Sequence, residues 1–141
     1  MSFRTRLPVR FSDIDPAGVV YFPRFLHYCH TAMEDFFADE LGMSYARLFA
    51  EHRCGFPAVH LEVDFRRPLR YGDTVEIEVE IVKVGRTSVT WRYTMRADQE
   101  ITAQVEIVTA CIDLDRFRAR VVPDWLVQAF EARLVPRPGI D

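Results

Sequence analysis

Four segments from residue 59 onward alternate apolar with polar residues, and this pattern constrains the fold more than any other feature. Period-two alternation over such runs is typical of β-strands with one buried face. The segments begin near Val59, Val75, Val89 and Ile101. Short turns separate them, so neighbouring strands are predicted to be antiparallel. In the first segment we predict that four side chains point inward: Val59, Leu61, Val63 and Phe65.

The remainder of the chain supplies a first strand and one long helix. Residues 3–11 alternate in the same way, with an interruption at Pro8, which favours an edge position or a bulge. Residues 22–41 carry apolar side chains at helical spacing, and Gly42 is a plausible stop. Shorter helices are predicted over 45–52, capped by Ser44, and over 123–134, opening at Pro123. Because only one long apolar helix can cover the sheet, we predict an α+β fold, a curved antiparallel sheet wrapped around that helix.

Composition narrows the class of protein. With 141 residues, of which 49% are hydrophobic, the chain can bury a core as a single domain over residues 1–141. A net charge of -3 gives no strong field for nucleic acid. No CxxC pair, apolar leader or membrane-length apolar run occurs, so we expect a cytoplasmic protein with no disulfide framework and no membrane partner.

The segment between the first strand and the long helix, residues 11–22, carries the candidate chemistry. Asp13 and Asp15 continue the register of a buried face, where a carboxylate is costly unless it is paired or useful. Pro16 restricts Asp15 to an extended or turn conformation, and Gly18 permits a tight turn or the close approach of a ligand.

Free backbone amides are expected beside these carboxylates, at the start of the helix near Tyr21 and Phe22. Amide N–H groups can hold the oxyanion of an acyl transfer, and a carboxylate can activate water or attack the carbonyl itself. The competing interpretation is structural, in which Asp13 and Asp15 only form an Asx-turn and cap the helix.

The run DIDPAGVVYF at residues 13–22 resembles the motif of the 4-hydroxybenzoyl-CoA thioesterases, D-x-D-P-A-G-[IV]-V-[YW]-F. It is similar, more loosely, to the wider acyl-CoA thioesterase family of hotdog proteins. The resemblance implies the hotdog fold, in which an antiparallel sheet wraps a long helix, and it implies hydrolysis of an acyl-CoA thioester. By position, Asp15 corresponds to the catalytic carboxylate of the family. The amide that holds the thioester carbonyl corresponds to Phe22 or a neighbour such as Tyr21.

The resemblance also implies partners and ligand contacts. Sites in the family lie at subunit interfaces, so a homodimer or homotetramer is expected. Basic residues near the turn between the central strands meet the CoA phosphates in the family, and Arg86 is the candidate in this chain. Thr87 departs from the pattern, because the hydroxybenzoyl enzyme has a basic residue there.

Other polar residues have competing interpretations. His60 is predicted to face solvent or the subunit interface and is retained, with Asp13 and Gly18, as a candidate substrate-binding residue. His27 and His30, with Glu34 beyond, could form a metal pair, but no third ligand is spaced to complete it. The cluster Arg66, Arg67 and Arg70 could bind phosphate or could be a solvated rim.

The sequence therefore predicts an acyl-CoA thioesterase that needs neither metal nor cofactor, since coenzyme A is part of its substrate. An aromatic acyl group, such as 4-hydroxybenzoyl or benzoyl, is favoured by resemblance. An enzyme for aliphatic acyl-CoA or for acyl carrier protein, and a non-catalytic acyl-CoA-binding hotdog protein, are the alternatives. The sequence does not decide whether Asp15 is a nucleophile or a general base.

Overall fold

The computed structural model describes residues 2–135, and its elements follow the periodicities of the sequence. The helices are α1 (Pro23–Asp35), which continues into a π-helical turn (Phe36–Glu40), α2 (Tyr45–Glu51) and α3 (Asp124–Glu131). The strands are β1 (Phe3–Pro8), β2 (Cys54–Gly55), β3 (Ala58–Phe65), β4 (Thr74–Val84), β5 (Ser88–Ala97), β6 (Glu100–Ala110), β7 (Ile112–Asp113) and β8 (Arg118–Ala119).

Five of these strands form one antiparallel sheet in the order β1-β4-β5-β6-β3. The pairing of β4 with β5 shifts register between Ile81 and Lys83, where a β-bulge interrupts the ladder. Three short strands form a second sheet in the order β2-β7-β8. The sheet order leaves β1 and β3 at the two edges of the larger sheet.

The inner face of the central strands is apolar, as the alternation predicted. The fully buried side chains include Val75, Ile77, Val79, Ile81, Val89, Trp91, Tyr93, Met95, Ala103 and Val105. Trp91 lies in an aromatic cluster, with ring centroids 5.6 Å from Phe36 and 5.5 Å from Phe130. Each large apolar side chain buried in this way contributes about 1.5–3 kcal/mol, so this cluster holds the π-helical turn after α1, and α3, on the sheet.

Helix α1 packs on β1 and β4, and its ends match the signals in the sequence. The π-helical turn places the adjacent residues Phe36 and Phe37 together in the core. Gly42 adopts a positive φ of 69° after this turn, which confirms the predicted stop. The Ser44 hydroxyl accepts the Arg47 amide at 3.1 Å, which confirms the predicted cap of α2.

The inward orientation predicted for the apolar residues of β3 is wrong for three of the four. Val59, Leu61 and Phe65 are 63%, 41% and 52% exposed, and only Val63 is half-buried. The reason is position: β3 is an edge strand, and a gap separates most of it from α1. The alternation identifies an apolar face correctly, but this chain by itself does not cover that face.

Candidate active site

The candidate site begins with a tight loop between β1 and α1 that folds back on itself. The Asp15 amide donates to the Val19 carbonyl at 2.9 Å, and the Tyr21 amide donates to the Asp13 carbonyl at 2.9 Å. The Gly18 amide closes the turn on the Asp15 carbonyl at 2.9 Å, with Gly18 at φ +80°. These bonds form a two-stranded ladder that presents Asp15 near its tip.

The carboxylate of Asp15 is half-buried and is held at one oxygen. Its Oδ1 accepts the Ala17 amide at 2.9 Å, which is the Asx-turn that the structural interpretation proposed. No hydrogen bond or ion pair within residues 2–135 engages its Oδ2. The turn therefore orients the side chain and leaves one carboxylate oxygen available for chemistry.

Asp13 has a different environment and is fully engaged. Its Oδ2 accepts the Arg10 amide and the Tyr28 hydroxyl, each at 2.9 Å, and Arg24 Nε lies 3.5 Å from Oδ1. The residue is 7% exposed. Burial, and then the hydrogen bond to Asp13, raise the pKa of Tyr28, so that hydroxyl remains a donor. Asp13 holds the loop against α1, and the prediction that it contacts substrate does not fit this burial.

The start of α1 offers fewer free amides than the sequence predicted. Pro23 has no N–H, the Arg24 amide donates to Tyr21 O at 2.9 Å, and the Phe25 amide donates to Phe22 O at 3.2 Å. The Tyr21 amide donates to the backbone carbonyl of Asp13, so the prediction that it holds an oxyanion is wrong in this arrangement. The Phe22 amide has no acceptor in the described part of the chain and remains the candidate.

Two depressions lie side by side along α1 on the side that faces β3. The first, of about 310 Å³, is lined by Val20, Phe22, Phe25, Phe65, Arg66, Arg67 and Pro68. The second, of about 500 Å³, is more apolar, and its lining includes Leu26, Met33, Phe56, Leu61, Tyr93 and Ile107. Leu26 is one helical turn beyond Phe22, so the second depression continues from the first along the same helix. We call the two together the α1–β3 groove.

Arg86 and His60 do not lie near Asp15 within one chain. The loop contacts residues that precede β4, since Val20 N donates to Leu69 O and Tyr71 N donates to Gly18 O. Arg86 follows the other end of β4, whose 11 residues span about 35 Å. His60 is level with that far end, because the pairing across the sheet aligns it with Lys83. Both side chains are exposed.

Two features of the site had only a weak signal in the sequence. Tyr28 anchors Asp13, and its one sign was a hydroxyl on the apolar face of the helix. Arg66 and Arg67 line the first depression beside Phe22, and the sequence showed them only as a basic cluster. Arg67 pairs with Glu100, and Arg66 is 3.0 Å from Asp64 Oδ2, so both guanidinium groups are already oriented by carboxylates.

The histidines of α1 are exposed. His30 Nε2 lies 2.8 Å from Glu34. Within residues 2–135 there is no cluster of three or more His, Cys, Asp or Glu side chains placed to hold a metal ion.

Comparison with known proteins decides the family. The profile of the thioesterase-like superfamily matches residues 9–130. The chain belongs to this superfamily. Membership in the thioesterase-like superfamily confirms the predicted hotdog fold and the prediction of a thioesterase enzyme.

Individual members of the thioesterase-like superfamily support this result. The chain is 34% identical over 131 residues to 1,4-dihydroxy-2-naphthoyl-CoA hydrolase of Nostoc punctiforme, a match that covers 93% of this chain and 88% of that protein. The structure of 1,4-dihydroxy-2-naphthoyl-CoA thioesterase from Synechocystis is 26% identical, with a TM-score of 0.82 and coverage of 92% and 96%. A protein from Thermus thermophilus is 27% identical, with a TM-score of 0.85 and coverage of 92% and 98%.

These relatives refine the resemblance that the motif suggested. The Nostoc and Synechocystis proteins are named for 1,4-dihydroxy-2-naphthoyl-CoA rather than for 4-hydroxybenzoyl-CoA. The comparison thus confirms the superfamily and not the particular hydroxybenzoyl branch.

No helix in the described range, residues 2–135, is long and apolar enough to cross a membrane.

Proposed function

We propose that this protein hydrolyses the thioester of an aromatic acyl-CoA, with Asp15 as the catalytic carboxylate. One observation carries the proposal: the loop presents a carboxylate with an uncommitted oxygen next to a helix start whose Phe22 amide has no acceptor among the described residues. The ladder between Asp13–Asp15 and Val19–Tyr21 connects Asp15 directly to the helix start, because the Asp15 amide bonds to Val19 and the Tyr21 amide bonds to Asp13.

The chemistry follows from these two groups. The Phe22 N–H donates to the carbonyl oxygen and stabilises the negative charge that develops there. Asp15 either removes a proton from the attacking water or attacks the carbonyl carbon itself to form an anhydride, which water then hydrolyses. In both routes the C–S bond breaks, CoA leaves as its thiol after protonation, and the acyl group leaves as a carboxylic acid.

The α1–β3 groove supports an aromatic acyl group. Its second depression begins one helical turn past Phe22 and is lined mainly by apolar side chains, with a volume of about 500 Å³. A planar ring attached to the carbonyl would bury its faces there and gain the usual free energy of apolar burial. The names of the relatives, and the motif shared with hydroxybenzoyl enzymes, favour hydroxyaryl groups of one or two rings.

A second copy of the chain is part of the proposal. Val59, Leu61 and Phe65 are exposed apolar residues of β3, and two of them, Leu61 and Phe65, line the groove. An unpaired edge strand is a template for pairing. A dimer or tetramer would cover this face. Arg86 and His60 lie far from Asp15 in their own chain, so in this proposal they contact acyl-CoA bound at the site of a neighbouring subunit.

The deciding experiment measures release of CoA thiol from a panel of acyl-CoAs. The panel contains benzoyl-, 4-hydroxybenzoyl- and 1,4-dihydroxy-2-naphthoyl-CoA, a short and a long aliphatic acyl-CoA, and an acyl-carrier protein. We expect the highest kcat/KM on an aromatic member. A preference for an aliphatic or carrier-bound acyl group would overturn the aromatic assignment. Tight binding of acyl-CoA without any thiol release would identify a binding protein instead.

A further inference from the structure

Two buried cysteines lie in contact outside the loop that carries Asp15. Cys54 in β2 and Cys111 after β6 are 57 residues apart in the chain, and their Sγ atoms are 3.3 Å apart. Both residues are 0% exposed, and both are free thiols. The sulfurs would have to approach by about 1.2 Å to reach the S–S bond length of about 2.05 Å. They lie at the β2–β7 junction, where each strand has only two residues.

The two thiols share one hydrogen bond, in which either sulfur can be the donor. This hydrogen bond lowers the pKa of Cys54 and raises that of Cys111. Burial raises the pKa of both thiols, and the positive charge of Arg120 lowers both. One sulfur of the pair is therefore favoured as the thiolate, and the other is placed to react with it next.

We propose that Cys54 and Cys111 are an oxidation site that closes to an intramolecular disulfide when the protein meets hydrogen peroxide. The thiolate of the pair attacks one peroxide oxygen, the O–O bond breaks, and hydroxide leaves, which forms a sulfenic acid on that cysteine. The other sulfur then attacks the sulfenic sulfur, the S–O bond breaks, and water leaves. Two thiols and one peroxide become one disulfide and two waters, so the atoms and electrons balance.

The site lies behind a wall of the α1–β3 groove. Gly55 and Ile112, the chain neighbours of the two cysteines, line the second depression. The wall is tightly packed there, since a Cβ on Gly55 would lie 2.9 Å from Leu114 Cδ2. Closing the disulfide therefore moves this wall and leaves the Asp15 loop in place. If the proposed function is correct, the oxidised protein has a raised KM for aromatic acyl-CoA and an unchanged kcat.

The main experiment does not depend on turnover. The folded, reduced protein is treated with hydrogen peroxide, alkylated in denaturant at intervals, and analysed by intact-mass and peptide mass spectrometry. We expect loss of two hydrogen atoms and of two alkylatable thiols, a peptide linking Cys54 to Cys111, and reversal by dithiothreitol. Failure to form this link in the folded protein would overturn the proposal, whatever the enzyme assays give.

Cys29 is the matched internal control. It is also buried, at 1% exposure, and burial raises the pKa of its thiol, but it has no cysteine partner in the described structure. We expect Cys29 to remain alkylatable while the pair disappears, and C54S and C111S each to abolish the disulfide. If the Cys29 thiol were oxidised at the same rate, or if Cys54 and Cys111 became sulfinic acids, the contact between Cys54 and Cys111 would not direct their oxidation, and the proposal would be overturned. The peptide map of the unmutated protein decides the question if either variant fails to fold.

Discussion

The hydroxyl of Tyr28 donates a hydrogen bond of 2.9 Å to Oδ2 of Asp13 and thereby joins the long helix to the loop that carries Asp15. Tyr28 is 3% exposed, so this bond reaches a carboxylate that water barely contacts. A hydrogen bond to a buried charged group is strong, and losing it leaves the charge poorly compensated. The position of Asp15 therefore depends on a residue that has no part in the proposed chemistry.

We expect Asp15→Asn to retain the fold and to lose on the order of a hundredfold or more in kcat. The amide oxygen of Asn can still accept the Ala17 N–H, but the side chain can act neither as a base nor as a nucleophile. Steady-state kinetics on the best aromatic acyl-CoA measure the change in kcat. Circular dichroism is the control for folding. A kcat close to that of the parent enzyme would remove Asp15 from the mechanism.

Tyr28→Phe should lower the free energy of unfolding by about 1.5–3 kcal/mol, because it removes a hydrogen bond to the buried Asp13 carboxylate. Urea denaturation provides the measurement. Tyr71→Phe is the matched control, since Tyr71 is 58% exposed, and a change there should stay within about 0.5 kcal/mol. Equal effects of the two substitutions would contradict the anchoring role of Tyr28.

Stability should fall at alkaline pH, in part through Tyr28. Its pKa is raised in the folded protein by burial and by Asp13, whereas an unfolded tyrosine titrates near the ordinary value of about 10. Above that pH the unfolded chain loses the proton first, so the unfolded state gains stability and the free energy of unfolding decreases. Measured above about pH 10, the decrease should be shallower in Tyr28→Phe. Parallel curves for the two proteins would show that Tyr28 is not responsible.

Val59→Glu should disrupt assembly and lower activity, because it places a charge on the exposed apolar edge of β3, where Val59 is 63% exposed. Sedimentation velocity at micromolar concentration should show an oligomer for the parent protein and smaller species for the variant. Val121→Glu is the control, at 49% exposure and outside β3. A parent protein that is a stable and fully active monomer would overturn the expected oligomer.

Dialysis against a strong chelator should leave the activity unchanged. A thioester is already a reactive acyl donor, and an oxyanion donor contributes roughly a hundred- to a thousandfold, with a comparable factor from a carboxylate base. Elemental analysis should accompany the assay. Activity that disappears with a metal and returns with added zinc or manganese would implicate His27 and His30 after all.

The fold was predictable because its signals are local and periodic. Alternation identified the inner faces of β4 and β5, and the spacing of Phe25, Cys29 and Phe36 identified the buried face of the helix. The same alternation placed Val59 and Phe65 in the core, which was wrong. Periodicity reports that a face is apolar, and it carries no information on whether the covering surface belongs to the same chain.

The candidate site was predictable only in part. A motif could point to Asp15 and to the helix start, because these residues are adjacent in sequence. Which amide remains free depends on the hydrogen bonds of the folded loop: the Asp13 carbonyl accepts the Tyr21 amide and not the Phe22 amide. The placement of Arg86 at the opposite end of β4 follows from the sheet order, which no local pattern specifies.

The turn after Asp15 requires a residue at position 18 that can adopt a positive φ, and it does not require a small one. Gly18 has a φ of +80°, yet a Cβ built on it would meet no atom within 4 Å. An L-alanine there would be strained by about 1–2 kcal/mol through its backbone alone. Its mirror image prefers this very region, so a semisynthetic protein with D-alanine at position 18 should keep its loop geometry and lose less entropy on folding. The glycine of the motif is thus required for its lack of chirality and not for its small size.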